Sequence, residues 1–371
     1  MQGPTFPYAG DALPPQDAVV DAVVIGGGAA GLNGALMLAR SRRSVVVLDG
    51  GDPRNAPAEG VHGLLGHDGI APAELCRRGR EEVRRYGGAV VAAEAVSAAP
   101  AEPAPDGDPR FTVTLAGGRT LTARRLLVAT GVRDELPDVP GLAAYWGGSV
   151  VHCPYCHGWE VRDEPVGVLA VGPASVHQAL LFRQLTDDLV YFTRGAGLDP
   201  DARTRLAARG VRVVDEPVES VAADAGGALS GVRLADGTVV PRRVLAVATT
   251  LHPRTEALAA LGLPLEDLPH GMGRRFTTTG PAGTTPVPGV WAAGNAADPM
   301  AQVGASAAAG ALAGAHINAD LVTAETEAAV RAGASVQRRP VSDAAGHSAG
   351  VRRGQLPAAV VRVRGRAARD H

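Results

Sequence analysis

The sequence predicts an α/β fold containing two Rossmann-like dinucleotide-binding units, and three observations lead there. A buried-strand pattern from Ala22 to Ile25 runs into a glycine turn and an Ala/Leu-rich helix, and a second strand then ends at Asp49. The same order returns from Pro165 in "PVGVLAVGPASVHQALLFRQL". Two further apolar strands, "RRLLVATG" and "RRVLAVATT", end in small-residue turns, and "GVWAAGNAADPMAQVGASAAAGALAGAHI" passes from strand into a small-residue helix.

Each element has a local reason. The first β-α-β unit has about the length that dinucleotide binding needs. "SAAPAEPAPDGDPR" (97–110) is rich in Pro, Ala and Asp and reads as a loop joining hairpin strands. The expected division is a discontinuous domain of residues 18–135 and 249–323, a second of 136–248, and a disordered tail of 324–371. That tail carries nine arginines against four acids and shows no apolar periodicity.

With 371 residues the chain is long enough for two domains, and 46% hydrophobic, 20% charged residues and a net charge of −2 describe a soluble globular protein. No bulk charge points to nucleic acid or an acidic membrane. All 36 basic residues are arginine, which fits a composition bias rather than a mechanism. The start, "MQGPTFPYAGDALPPQ", lacks the basic and apolar regions of a signal peptide. The stretch from Met300 to Ile317 is interrupted by Gln302, Ser306 and His316 and is too weakly hydrophobic to span a membrane. Three cysteines and no targeting signal point to the cytoplasm, where a Cys-x-x-Cys is usually catalytic or metal-bound.

Gly26-x-Gly28-x-x-Gly31 follows a strand and opens a helix. The first glycine permits the tight turn, the second lets backbone approach a pyrophosphate, and the third lets helix and strand pack closely. Asp49, eighteen residues after Gly31, is placed to accept ribose hydroxyls. The chemistry centres on "SVVHCPYCHGWEV", where Cys153 and Cys156 are flanked by His152 and His157. Zinc needs four ligands, and the remaining cysteine, Cys76, lies in an amphipathic helix where core packing is the default, so no metal is expected. Pro154 suits a first helical turn, which sets Cys153 at a helix N-terminus where a thiolate is stabilised. A neighbouring imidazole adds to that effect or moves a proton.

Taken together, the N-terminal glycine turn, the central Cys-x-x-Cys and the late Gly294-Asn295 turn resemble, in that order, the low-molecular-weight thioredoxin reductases. The resemblance covers roughly Asp21 to Leu321. It implies FAD, held by Gly26, Gly28, Ala29, Ala30 and Gly31, by Asp49, Gly50, Arg54 and Asn55, by Thr130 and Gly131, and by Gly294, Asn295, Gln302 and Val303. The family usually has Asp at Asn295; Asn still offers hydrogen bonds but no charge. An acidic residue usually follows the redox pair, where this chain has His157. The string "CPYCHGWE" looks like the thioredoxin reductase-like dithiol oxidases of the gliotoxin, holomycin and romidepsin type, which close disulfides in small natural products.

In such reductases the second unit binds NADPH through Gly-x-Gly-x-x-Ala and an arginine cluster. This chain reads Gly172-Pro173-Ala174-Ser175-Val176-His177, with Arg194 the sole guanidinium at the cluster position. Ala174 adds a β-carbon, Pro173 removes an N–H, His177 adds bulk at the close-packing position, and a 2′-phosphate normally meets more than one guanidinium. The expected activity is therefore oxidation of a small dithiol with dioxygen as acceptor. By family analogy Cys153 is the outer sulfur and Cys156 the one nearer the flavin. His157 or His152 is the expected base, with Asp298 its partner, and a homodimer is the expected assembly. An NADPH- or ferredoxin-fed reductase of thioredoxin-like proteins and a flavin-dependent redox sensor stay open as alternatives.

Overall fold

The structure, a computed structural model, describes residues 10–337. The reading of the first nine residues as free of a signal peptide, and of 338–371 as tail, therefore falls outside the described residues. All strands lie within the unit that ends at Glu327; the described part of the second unit, 328–337, continues the last helix.

The first sheet grows from Val19–Ile25 (β1), Ala29–Arg40 (α1), Val45–Asp49 (β2), Pro72–Arg85 (α2) and Ala89–Ala92 (β3). The chain then forms a meander, Ala95–Ala101 (β4), Arg110–Leu115 (β5) and Thr120–Val128 (β6), and leaves through Val132–Glu135 (β7). Strand order is β3-β2-β1-β6-β5-β4. Successive residues of β1 and β2 face opposite ways, as strand geometry requires. Ala22, Val24, Val45 and Val47 pack under helices with Leu32, Leu38, Val83 and Ile317, while Val23, Ile25, Val46 and Leu48 join Phe111, Leu258 and Phe276 on the other face.

The second sheet begins at Val150–Val151 (β8), which leads into the four-residue helix Pro154–His157 (α3). Val166–Leu169 (β9), Ala174–Phe182 (α4), Leu189–Phe192 (β10), Pro200–Ala208 (α5) and Arg212–Val214 (β11) follow. An antiparallel trio, Val218–Ala223 (β12), Leu229–Leu234 (β13) and Val239–Pro241 (β14), precedes Val244–Val247 (β15). The parallel order is β11-β10-β9-β15-β8. Thr250–Pro253 (β16) returns antiparallel against β7, so both connections between the sheets run side by side. After the hairpin Leu265–Asp267 (β17) and Arg274–Phe276 (β18), Val290–Ala292 (β19) pairs with β6, and the long helix Val303–Gln337 (α6) follows.

Two expectations are corrected. Residues 97–101, read as loop, belong to β4. It is the edge strand, where a missing N–H is tolerated, and Pro100 pairs in register with Phe111. The disordered tail expected from 324 is helical through Gln337. The Ala- and Glu-rich stretch is a good helix former, and Glu325 pairs with Arg43 and Arg124, each at 2.6 Å. Nearby, Asp108 receives hydrogen bonds from Arg110, Arg124 and Arg125, and Arg125 also bonds Asp320 on α6. Burial works against the Asp108 charge, but the three guanidiniums outweigh it and hold the pKa at about 2. Its contribution to stability is complete above the ordinary carboxylate value and is lost as the pH falls toward 2.

Helix α6 reaches the first sheet by close backbone approach to α1. A β-carbon on Gly310 would run into the Ala30 carbonyl, and one on Gly314 into that of Gly34. Gly310→Ala should therefore lower stability by about 1–3 kcal/mol, as overpacking does, and loosen the cavity wall that α6 begins. Gly333→Ala, which meets nothing within 4 Å, should leave the melting temperature unchanged or slightly raised. Thermal unfolding of both variants checks this, and equal melting temperatures would contradict it.

Candidate active site

Strand-end turns of both sheets open into one cavity of about 1070 Å³. On the first-sheet side the glycine motif behaves as its spacing predicts. A β-carbon on Gly26 (φ +115°) would strike the Ala129 carbonyl, and one on Gly31 the Gly26 carbonyl, whereas Gly28 has nothing within 4 Å. Gly28 is also the N-cap of α1 and has no side-chain cap, so the helix N-terminus faces open space. That is a cradle of the kind a pyrophosphate enters. Sequence reasoning missed Gly27, where a β-carbon would collide with the Asp49 carboxyl group; the glycine brings that carboxylate up to the turn. Asp49 accepts from Arg80 Nε at 2.8 Å and from the Gly51 N–H at 2.9 Å.

The remaining predicted cofactor residues line this cavity: Ala29, Ala30, Gly50, Arg54, Asn55, Thr130, Gly131, Gly294, Asn295, Gln302 and Val303. Three have duties the sequence did not reveal. Arg54 is committed to the protein, making two bonds to Asp134 (2.6 and 2.7 Å) and one to the Pro299 carbonyl (2.9 Å). The Asn295 amide donates to the carbonyls of Asp298, Pro299 and Ala301, which leaves its Oδ1 for a ligand. Gln302 Nε2 lies 3.9 Å from Cys153 Sγ.

Cys153 and Cys156 form a disulfide, their Cα atoms 5.2 Å apart. They sit just past the C-terminal end of β8, with Cys153 as N-cap of α3 and Pro154 in its first turn. The helix has four residues, so its dipole is smaller than the sequence reading assumed. His152 Nδ1 meets the Val247 carbonyl at 3.2 Å. A carbonyl only accepts, so Nδ1 carries the hydrogen and Nε2 presents a lone pair. His157 Nε2 is buried and has no hydrogen-bond partner among the described residues. Burial lowers the pKa of both imidazoles. The charge of Arg54 lowers that of His152 further, and Asp134 and the Val247 carbonyl oppose the shift. At His157, Glu160 opposes burial and His62 reinforces it. Both rings are neutral bases near pH 7.

Asp298 is not bonded to either histidine among the described residues; its Oδ1 accepts the Met300 N–H at 3.1 Å. The acids near the two rings are Asp134 and Glu160, and neither was identified from sequence. His62 was also missed. It lines the cavity from the glycine-rich loop after β2, with Nε2 3.4 Å from Glu160 and Nδ1 3.5 Å from Asp68. Cys76 is a buried free cysteine in the core, as its helix pattern predicts, and burial pushes its thiol pKa up.

The second nucleotide turn is closed by its own atoms. Pro173 has no N–H, Ser175 Oγ accepts the Val171 N–H at 3.0 Å, and the Ser175 N–H bonds the Gly172 carbonyl at 3.0 Å. Ser175 is fully buried. Arg194, in a left-handed conformation (φ 59°), turns its guanidinium back to the Ala170 carbonyl at 3.3 Å. One expectation is corrected: His177 does not occupy the close-packing position. It is exposed and lines the main cavity, and Val176 and Ala179 pack α4 onto the sheet.

A family model described as pyridine nucleotide-disulphide oxidoreductase matches residues 20–314. Thioredoxin reductase tcpT of Claviceps purpurea is 36% identical over 284 residues, 75% of this chain and 86% of its own. Thioredoxin reductase sirT of Leptosphaeria maculans is 32% identical over 331 residues, 84% and 97% of the two chains. The crystal structure of HlmI covers 86% of this chain and 98% of its own, at 45% identity and a TM-score of 0.79.

The unpartnered His157 nitrogen generates a prediction. His157→Gln preserves size and polarity but cannot take a proton, so reduction of the Cys153–Cys156 disulfide by a small dithiol should slow by roughly 10²-fold or more. Because burial lowers the His157 pKa, the wild-type rate should hold as pH falls through 6.5 and decline only below it, and the variant should lose that acid limb. Anaerobic stopped-flow across pH 5–8 measures this; an unchanged rate and profile would remove His157 as the base.

Proposed function

This chain belongs to the pyridine nucleotide-disulphide oxidoreductase family and is a thioredoxin reductase-like, flavin-binding oxidoreductase, and from that premise we propose that it oxidises a small-molecule dithiol to an intramolecular disulfide. In this reading the flavin is FAD, bound by residues 18–135 and 249–323, dioxygen is the final acceptor, and the product belongs to natural-product biosynthesis. The observation that carries the reading is the second nucleotide turn. Pro173 offers no N–H to a pyrophosphate, the N–H and Oγ of Ser175 are bonded within the turn, and Arg194 faces a carbonyl, so electrons have their better entry at the disulfide. The names of the relatives favour a thioredoxin reductase instead, and the test below separates the two.

The residues supply the exchange chemistry. A substrate thiol gives its proton to His157 Nε2, and the thiolate attacks Cys153 Sγ, breaking the bond to Cys156 and leaving Cys156 as thiolate. The second substrate thiol, deprotonated at His152 Nε2 or by water, attacks the substrate sulfur of the mixed disulfide. The product disulfide leaves and Cys153 is released. FAD, when bound, would supply a two-electron acceptor. Re-forming the Cys153–Cys156 bond from the two thiolates gives up two electrons, and these, with the two protons taken from the substrate thiols, reach dioxygen as hydrogen peroxide. Gln302, close to Cys153 Sγ, donates to the released thiolate.

Oxygen-electrode assays with dithiothreitol should show oxygen uptake and peroxide formed one-for-one with disulfide. Cys153→Ser and Cys156→Ser should each abolish uptake, because one sulfur cannot complete the relay. Absence of uptake with small dithiols, together with NADPH-driven reduction of thioredoxin, would replace this reading with the reductase.

A further inference from the structure

Five buried side-chain nitrogen or oxygen atoms lack a hydrogen-bond partner among the described residues, and three of them, His157 Nε2, Gln178 Oε1 and Arg254 Nε, belong to residues lining the main cavity. The chemistry above uses His157 but not Gln178. Gln178 is 8% exposed and stands on α4, the helix whose nucleotide-binding role the closed turn has removed. Its Nε2 donates to the His152 carbonyl at 2.7 Å, which fixes the amide and turns Oε1 away from that carbonyl with no donor to meet it. A buried acceptor without a donor bears the full desolvation cost of the group, so such atoms in a cavity wall point to a ligand.

The surroundings define that ligand. The wall that α4 contributes around Gln178 consists of Ala174, His177 and Leu181 and carries no acid or arginine, so it suits a neutral molecule. Gln178 Nε2 holds the carbonyl of His152, the residue next to Cys153, and Gln178 and Cys153 line the same cavity, so one ligand can meet both Oε1 and the redox sulfur. In a cysteine residue the amide N–H is separated from the thiol by only N–Cα–Cβ–S, which matches that arrangement. Building on the dithiol reading above, we propose that Gln178 Oε1 is a substrate anchor that accepts the amide N–H of a neutral, peptide-like dithiol. The anchor seats one cysteine-type thiol against the Cys153–Cys156 disulfide and beside His157 Nε2. The degenerate nucleotide domain thereby supplies substrate recognition.

Three probes test this by oxygen uptake: acetyl-Cys-Gly-Cys-amide as the dithiol, the same peptide with both cysteine nitrogens methylated, and dithiothreitol, which has no amide. Wild-type enzyme should favour the N–H peptide over the methylated one in kcat/KM, and Gln178→Met should shrink that ratio by roughly five- to tenfold, the worth of one hydrogen bond. Intrinsic differences between the peptides cancel in this comparison, and normalising to dithiothreitol removes effects of losing the bond to His152. Gln178→Asn, whose shorter amide falls short, serves if the methionine variant does not fold. The same peptide ratio in wild type and variant overturns the anchor while leaving the dithiol reading intact. No uptake by wild type with any of the three overturns the dithiol reading, and the anchor with it.

Discussion

The geometry of the site depends on one buried carboxylate. Asp134 sits on β7, one of the two adjacent strands that join the sheets, and accepts two bonds from Arg54 and one from Thr249 at 2.6 Å. Burial alone would raise its pKa, but the Arg54 charge and these hydrogen bonds outweigh that and lower it. Arg54 also holds the Pro299 carbonyl, so one ion pair ties together the loop after β2, the turn before α6 and the crossing between the sheets. Removing one partner of such a pair typically costs about 3–5 kcal/mol, because the other charge stays buried and alone. The redox helix hangs from the same place, through the bond between His152 and the end of β15. The disulfide and the dinucleotide cradle therefore face one cavity because the crossing strands are fastened.

Small residues perform the complementary task on the other side. Gly26, Gly27 and Gly31 let β1, Asp49 and α1 meet at the turn, and Gly310 and Gly314 let α6 lie against α1, so that Val303 begins its helix in the cavity wall. Around the redox helix stand two imidazoles whose pKa burial lowers, two amides from Gln178 and Gln302 and a fixed carbonyl, with the charges of Asp134 and Arg54 paired to each other and Glu160 beside His62. Such a setting suits moving protons from thiols more than binding a polyanion, in keeping with the closed second turn.

The parts of this design written as local pattern were legible in the sequence. The glycine spacing, the acid at the end of β2, the Cys-x-x-Cys with Pro154 and the degenerate second turn each fall within a few residues. The rest was not legible, because it consists of side chains meeting across long separations. Arg54 looks like a cofactor ligand until Asp134, eighty residues on, takes it. Asp298 looked like the histidine partner, but its carboxylate turns to its own loop. His177 occupies a motif position whose usual packing duty passed to Val176 and Ala179, and Ser175, an unremarked letter in the motif, seals the turn. The extension of α6 beyond Thr323 escaped notice because its Ala- and Glu-rich sequence carries no apolar stripe, and Glu325 is anchored instead by Arg43 and Arg124.

The central claim is that electrons enter at the disulfide and not through a pyridine nucleotide. Mixing the flavin-loaded enzyme anaerobically with excess NADPH, and separately with NADH, and following flavin absorbance tests it most directly. The closed Gly172–Ser175 turn and the inward Arg194 predict that the flavin stays oxidised for many minutes with either nucleotide, while a small dithiol bleaches it quickly. Rapid bleaching by NADPH would contradict the account.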